Sequence, residues 1–370
     1  MSESKEKVVI AMSGGVDSSV CASLMVKKGY ECVGMTMRLW KGPEVEETEC
    51  STQSCCGAES VEDARLVAEE LKIPYYAINF KEEFWEKVVT KFADEYFAGR
   101  TPSPCILCNE KLKFDTLYKK AMEIGASKIC TGHYARIEYD EETGRWVLMR
   151  GKDPKKDQTY FLFSMTQEQL SKTLFPVGDF TKDEIRKLAR ADDLVTAQKP
   201  ESQDICFIPD GNYAKFLERH FPEKAKAAAG KIKHVDGQEL GDHKGIHSVT
   251  IGQRKGLGVA FGQPLYVTRI DSQTKDVYVG SQSDANRKEF LIERVNWILK
   301  EGVPGECHTA TIKIRSRSPE KPGKIYPLEG GGAHVVFDEP QNAITPGQAC
   351  VFYIGDKVLG GGWIEKVSDC

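Results

Sequence analysis

The chain has 370 residues, 40% hydrophobic and 29% charged, which fits a folded protein of two or three domains and excludes a disordered or fibrous chain. No apolar run approaches the length of a membrane span, and the start, MSESKEKVVIAM, lacks the long apolar stretch of a secretory leader, so a cytoplasmic protein is expected. The net charge of −4 excludes a globally basic nucleic-acid binder, and the split is 29 Lys and Arg against 35 Asp and Glu in 1–209, 11 against 9 in 210–284 and 11 of each in 285–370, so RNA contacts must come from local patches.

In chain order, VVIAM (8–12) reads as a strand and VCASLMVKKG (20–29) as the helix after it. CVGMTMRLW (32–40) is a second strand, followed by a polar insertion, KGPEVEETECSTQSCCG, expected to be a loop. ESVEDARLVAEELK places Val61, Ala64, Ala68 and Leu71 at helical spacing. PYYAINF is a third strand and SKICTGHYARI a fourth. TKDEIRKLARADD opens with Thr181 and Glu184 at capping-box spacing, so a helix starts there. Strands alternating with helices predict an α/β fold, a doubly wound parallel sheet over 1–209.

After that the pattern changes. NYAKFLERHFPEKAKAAAG is short and helical, and then glycines multiply and apolar residues alternate in SVTIGQRKGLGV, QPLYVTRI, KDVYVG, TATIKIRSR and GQACVFYIGDKVLGGGWIEKV. Two smaller β-rich domains are expected, a small central one over 210–284 and a C-terminal β-barrel over 285–370.

Between the first strand and its helix stands SGGVDSS, Ser13–Ser19. Glycines let backbone N–H groups approach phosphate oxygens, serine hydroxyls add donors, and the helix N-terminus favours an anion. The lysine of the ordinary P-loop is missing. Asp17 is an odd residue for an anion site unless Mg²⁺ bridges it to phosphate.

There are 12 cysteines, and in a reducing compartment clustered thiols are catalytic or metal-binding more often than disulfide-bonded. Cys105 and Cys108 form a C-x2-C pair in RTPSPCILCNEKLKF, and Cys206 follows in KPESQDICFIPDG. Two thiols that can meet let one carry a persulfide and the other resolve it. Cys21, Cys32, Cys130 and Cys350 sit in apolar patterns and read as core. Cys50, Cys55 and Cys56 match no standard ligand spacing and read as ordinary loop thiols.

SGGVDSS resembles the signature of the pyrophosphate-loop ATP pyrophosphatases, which cleave ATP between its α and β phosphates and adenylate an oxygen. Over essentially its whole length the chain resembles the tRNA-specific 2-thiouridylase family, on AMSGGVDSS, LCN with KF following, TGHYARI, KDQTYFL, ICFI, TIGQRKGLG and TPGQACVFYIGDKVLGGGWI. The resemblance implies an ATP-dependent sulfurtransferase that replaces the C2 oxygen of the wobble uridine with sulfur in tRNAs for Lys, Glu and Gln. It implies ATP and Mg²⁺ as cofactors, and tRNA and a sulfur donor (a cysteine desulfurase or a relay protein) as partners.

Matched motif by motif, ATP contacts fall on Ala11, Met12, Ser13, Gly14, Gly15, Val16, Asp17 and Ser18, with Met37 and Gly132 beside the adenine. Cys108 takes the place of the nucleophile and Cys206 that of the persulfide carrier, the cycle either releasing sulfide or ending with the two joined as a disulfide. Ser103, Pro104 and Cys105 match the segment that meets the target base. Lys156, Asp157, Gln158, Arg315, Ser316, His133 and Gln348 match tRNA contacts.

The chain departs from the family at Ser103-Pro104-Cys105, where many members have Asn-Pro-Asp. A thiol replaces an acid, and Cys105, Cys108 and Cys206 could instead hold a [4Fe–4S] cluster or zinc. Persulfide relay, cluster and zinc all stay open at this point. So do two rival functions: another pyrophosphate-loop synthetase, which needs none of the three thiols, and a non-catalytic RNA binder, which gives no reason for an ATP loop. Taken alone, His133 is a structural histidine, the lysines around Lys156 a solvated turn, and the Lys313, Arg315 and Arg317 side of TIKIRSR an exposed strand face.

Overall fold

The structure is a computed structural model that describes residues 5–39, 57–201, 205–259 and 261–367; Cys50, Cys55, Cys56 and nearly all of the polar insertion lie outside the described residues. Strand β1 (Lys7–Ala11) buries Val8, Val9 and Ile10 completely, as a strand covered on both faces must. It pairs in parallel with β2 (Glu31–Arg38), which pairs with β3 (Tyr75–Asn79), and on its other side with β4 (Lys128–Thr131). The chain then leaves as a hairpin, β5 (Ala135–Asp140) and β6 (Arg145–Arg150), and returns as the short β7 (Thr173–Leu174) beside β4. The order β3-β2-β1-β4-β7 is doubly wound, and it reverses at β1. Sheets of this kind take ligands at the carboxyl ends of the strands beside that reversal, here β1 and β4.

Helices Val16–Lys27, Ala58–Glu70 and Lys182–Ala191 cover the sheet with longer helical runs over 81–97 and 104–123. The expected capping box is present: the Thr181 hydroxyl accepts from the Glu184 N–H, and the Glu184 carboxylate accepts from the Thr181 N–H at 2.7 Å. SKICTGHYARI is not one strand. Gly132–Tyr134 breaks it, and its halves join different sheets, because β5 must leave to pair with β6.

The second region is a four-stranded sheet made of β8 (Gly230–His234), β9 (Glu239–His243), β10 (Tyr266–Ile270) and β11 (Val277–Gly280). SVTIGQRKGLGV, which reads as part of a β unit, contributes no strand to it. Gly252, Gly256 and Gly258 take φ of +84°, +79° and +72°, and those left-handed turns interrupt any extended run. The third region holds β12 (Asn286–Trp297), β13 (His308–Lys313), β14 (Lys321–Pro327), β15 (Ala333–Asn342), β16 (Ala349–Ile354) and β17 (Lys357–Val367). They run β12-β15-β14-β13-β16-β17, and β12 pairs with β17 to close a six-stranded barrel. Alternation in TIKIRSR buries Ile312 and Ile314, but the strand ends at Lys313, so Arg315 lies in a turn.

Barrel and parallel-sheet region are not separate bodies. β17 meets β6 at Lys357 and Met149, so the β5–β6 hairpin extends the barrel sheet. One apolar cluster runs from Phe80, Phe84 and Phe92 through Tyr160 and Phe163 to Ala349, Tyr353 and Trp363. Trp363 meets Phe163 edge-on at 5.9 Å. The Asn296 amide, from the barrel, donates to the Phe163 and Met165 carbonyls at 2.7 and 2.8 Å. Among the described residues no helix is long and apolar enough to cross a membrane. Trp363→Ala should cost about 3–5 kcal/mol and lower the melting of both regions together in one calorimetric transition; two separated transitions, with only one shifted, would contradict a shared core.

Candidate active site

The Ser13–Ser19 loop lies between β1 and its helix, at the sheet reversal. Gly14 has φ +68°, and a Cβ there would lie 2.0 Å from the Ser60 carbonyl oxygen, so only glycine lets the loop pass the helix Ala58–Glu70. A Cβ on Gly132 would lie 2.9 Å from the Asp17 carbonyl carbon and the Ser18 nitrogen, so glycine also lets the end of β4 press on the loop. Within the loop the Ser13 N–H donates to Ser18 Oγ at 3.1 Å, and Ser18 and Ser19 hydroxyls donate to the Gly15 carbonyl at 3.0 Å each. Met12 is fixed from both sides: its N–H donates to the Met35 carbonyl and its carbonyl accepts from Thr36 Oγ1 at 2.7 Å. Ala11 ends β1, and Met37 sits half-buried toward the end of β2.

The loop forms one wall of a cleft of about 370 Å³, also lined by Val16, Ser60, Tyr134, Gln158 and Pro200. Three lysines enter this cleft: Lys156, Lys182 and Lys199. Lys182 Nζ donates to Asp17 Oδ1 and Oδ2 at 2.7 and 2.8 Å, and the Tyr134 hydroxyl donates to Asp17 Oδ1 at 2.6 Å. Lys182 also pairs with Glu201 at 2.8 Å, and Lys156 pairs with the other Glu201 oxygen at 2.5 Å. Lys199 pairs with Asp63 and reaches Ser60 Oγ at 3.2 Å. Burial, and then the Asp17 carboxylate, push the Tyr134 phenol well up, so it stays a donor. Burial opposes ionisation of Glu201, but hydrogen bonds from Lys156 and Lys182 prevail and hold its carboxyl at about 2.

Sequence reasoning gave no role to Lys182, Lys199, Glu201 or Tyr134. Lys182 hides in a capping box as its first helical residue, and Lys199 and Glu201 stand in KPES, quoted above only for the cysteine after it. No spacing rule announces them, because they meet the loop only through folding.

The thiols stand apart from the cleft: none of Cys105, Cys108 and Cys206 lines it. Pro104 opens the helical run that carries Cys105, which is exposed, and Cys108, which is half-buried. Ser103 is nearly buried at its N-terminus. Cys206 lies in a turn closed by the Ile208 N–H on the Ile205 carbonyl at 2.9 Å. Phe207 anchors that turn, its ring edge-on to Phe84, Phe92 and Phe216 at 5.5, 5.3 and 5.4 Å. Cys108 and Cys206 therefore pack on the margin of one apolar cluster. The three-thiol metal site expected as an alternative is not assembled: among the described residues no group of three or more His, Cys, Asp and Glu stands where it could hold a metal ion. Cys105 faces solvent while Cys108 and Cys206 lean on the core. Cys21, Cys32, Cys130 and Cys350 are core residues, as expected.

The remaining sequence-matched residues are buried or half-buried, and most of them brace the structure. The Gln158 side chain accepts from the Tyr134 N–H at 2.9 Å and braces the β4–β5 break. Asp157 is buried against Arg150 at 3.0 Å and accepts from the Thr159 hydroxyl. Arg315 donates from Nη2 to the Ile251 and Ala343 carbonyls and to Thr345 Oγ1, tying the central region to the barrel, and burial pushes its pKa down. Ser316 is half-buried beside it. Gln348 Nε2 donates to the Thr101 carbonyl at 2.8 Å and the Pro102 carbonyl at 3.3 Å, so the barrel grips the segment just before Ser103. His133 is buried; its Nδ1 meets Thr131 Oγ1 at 2.6 Å and its Nε2 meets Lys113 Nζ at 3.4 Å. Burial first, and the Lys113 ammonium second, hold its pKa well below the ordinary histidine value.

The family model for the tRNA methyl transferase HUP domain matches residues 6–210, that for the tRNA methyl transferase PRC-barrel domain 214–281, and that for the aminomethyltransferase beta-barrel domain 287–364. The chain is 50% identical to the tRNA-specific 2-thiouridylase MnmA of Solibacter usitatus, over 98% of this chain and 100% of that one. It is 48% identical to the protein of the same name from Carboxydothermus hydrogenoformans, over 98% of each, and 46% identical to that of Clostridioides difficile, again over 98% of each.

The depressed Glu201 carboxyl sets a pH dependence. Its contribution to stability is fully present above about 4.5 and is lost as the pH falls through about 2. Glu201→Gln should lower the melting temperature at pH 7, and the gap to the unaltered chain should close as the pH drops below about 4.5. A gap that stays constant down to pH 2–3 would contradict the ion pairs.

Proposed function

Because this chain belongs to the tRNA-specific 2-thiouridylase family, we propose that it uses ATP to replace the C2 oxygen of the wobble uridine with sulfur in tRNAs for Lys, Glu and Gln. One observation carries the reading: a lysine-lined glycine–serine cleft stands at the sheet reversal, after a strand whose Val9 belongs to the core that carries Cys108 and Cys206 on its margin.

ATP lies with its phosphates along the Ser13–Ser18 backbone, where Lys156, Lys182 and Lys199 supply positive charge, and its adenine lies toward Met37 and Gly132. Asp17 fits a Mg²⁺ ion only once Lys182 has turned from it to a phosphate, because both its oxygens now accept from that lysine. When bound, the ion would draw charge from the phosphates. The wobble base leaves its stack to reach the cleft, since its C2 oxygen is inaccessible within it. That oxygen attacks the α-phosphorus and pyrophosphate leaves.

The terminal sulfur of a Cys206 persulfide then attacks C2. The Cys108 thiolate attacks Cys206 Sγ and the S–S bond breaks, leaving its electron pair on the transferred sulfur. AMP departs with the former C2 oxygen. A Cys108–Cys206 disulfide remains, and a dithiol reductant returns it to two thiols. A persulfide-bearing desulfurase or relay protein recharges Cys206. Among the described residues Cys105, Cys108 and Cys206 do not form a group that could hold a metal ion, which supports the relay over an iron–sulfur cluster.

The test is 2-thiouridine by nucleoside mass spectrometry, with iron-free protein, ATP, Mg²⁺, unmodified tRNA and a persulfide-charged desulfurase. Product is expected; activity that appears only after iron–sulfur reconstitution would select the cluster instead. Cys206→Ser should abolish thiolation, and a rate equal to that of the unaltered chain would sink the relay. Asp17→Ala should abolish AMP formation while tRNA still binds.

A further inference from the structure

Among the described residues Lys113 is a cation without an anion: it is half-buried, and its one hydrogen-bond partner there is His133 Nε2 at 3.4 Å. An ammonium can only donate, so Nε2 accepts, and Nδ1 carries the proton and donates to Thr131 Oγ1. The imidazole is thus neutral, enclosed by Phe114 and Phe175 at 5.8 and 5.7 Å. Among the described residues no carboxylate pairs with Lys113, although most lysines around the neighbouring cleft have one.

Its position is specific. His133 follows Gly132, which presses on Asp17 and Ser18, and precedes Tyr134, which holds Asp17. Lys113 therefore reaches the border of the ATP cleft from the helical run that bears Cys108. That run is a π-helix from Asn109 to Leu117. Its hydrogen bonds close on the fifth residue, so Lys113 lies about one widened turn beyond Cys108. π-Turns are rare and recur at functional sites. The same wide turn leaves Asn109 Oδ1 buried without a partner beside Cys108, while its Nδ2 donates to the Phe161 carbonyl at 2.9 Å. A stretch that leaves one cation and one acceptor unmatched is arranged for the atoms of a ligand rather than for helix stability.

We propose that Lys113 is a catalytic residue of the thiolation, its ammonium binding the α-phosphate charge as the adenylated base loses AMP beside Cys108. This rests on the thiolation reading above. The resemblance places a tRNA contact at His133; with that ring buried and neutral, the charge offered at the spot belongs to Lys113, and His133 is the residue that positions it.

The test uses the full chain with Lys113→Met and Lys113→Arg. Calorimetric titration with AMP should show affinity about tenfold or more weaker for Lys113→Met. Single-turnover 2-thiouridine formation should fall about 100-fold, with tRNA affinity and melting temperature retained. Lys113→Arg, which keeps the charge, should recover most of both losses. AMP bound as tightly by Lys113→Met as by the unaltered chain would overturn the proposal. AMP binding is read without thiolation, so an unaltered chain that binds AMP but makes no 2-thiouridine would count against the reaction alone.

Discussion

The thiol-bearing elements hang on one continuous apolar core that crosses from the parallel sheet into the barrel. Phe84, Phe92, Tyr160, Phe163, Tyr353 and Trp363 belong to it together. A core shared in this way fixes the angle between the two regions, because neither can turn without opening voids that close-packed side chains cannot fill. Both motif-matched cysteines ride on its margin. The Cys108 helix is seated through Ile106 and Leu112, and the Cys206 turn through Phe207 and Ile208. The thiols are thus held by packing, with Cys108 and Cys206 half-buried and still partly open to solvent.

The cleft beside that core is held by charge instead. Lys156, Glu201, Lys182 and Asp17 alternate in sign across it. Among the described residues each lysine of the cleft is matched by a carboxylate, so none offers a bare positive charge to stray anions. A triphosphate bears more charge than one carboxylate and can compete for the same ammonium groups, particularly where water is scarce and electrostatic interactions are strong. The backbone N–H groups and serine hydroxyls of the loop supply shape, and the lysines supply affinity.

The sheet was legible in the sequence because its strands are short apolar runs bounded by glycines and its helices carry periodic apolar residues. The capping box at Thr181 and Glu184 worked because it is a purely local signal. The failures have equally physical causes. SKICTGHYARI looks continuous, yet Gly132 must break it to let β4 press on the loop. SVTIGQRKGLGV alternates like a strand, yet its left-handed glycines turn it. The loop and the thiols could be found from motifs, whereas Lys182, Lys199, Glu201 and Lys113 could not, since each acquires meaning only from a partner brought close by folding. Arg315 shows the reverse case: it reads as a surface cation, but its guanidinium is spent on the carbonyls of Ile251 and Ala343.

The segment just before the helix of Cys105 and Cys108 is fastened to the barrel at successive residues. Arg100 reaches Glu365 at 2.6 Å, the Thr101 N–H donates to the Pro346 carbonyl at 2.9 Å, and Gln348 holds the Thr101 and Pro102 carbonyls. Such a row of fixings has a set pitch, like teeth on a rack. Loss or gain of a single residue between 98 and 103 would throw every later tooth out of step and displace Cys105 and Cys108. The turn at 141–144, exposed between β5 and β6, has no such row, and it is where a tag, a label or an extra residue can be carried without disturbing the chemistry.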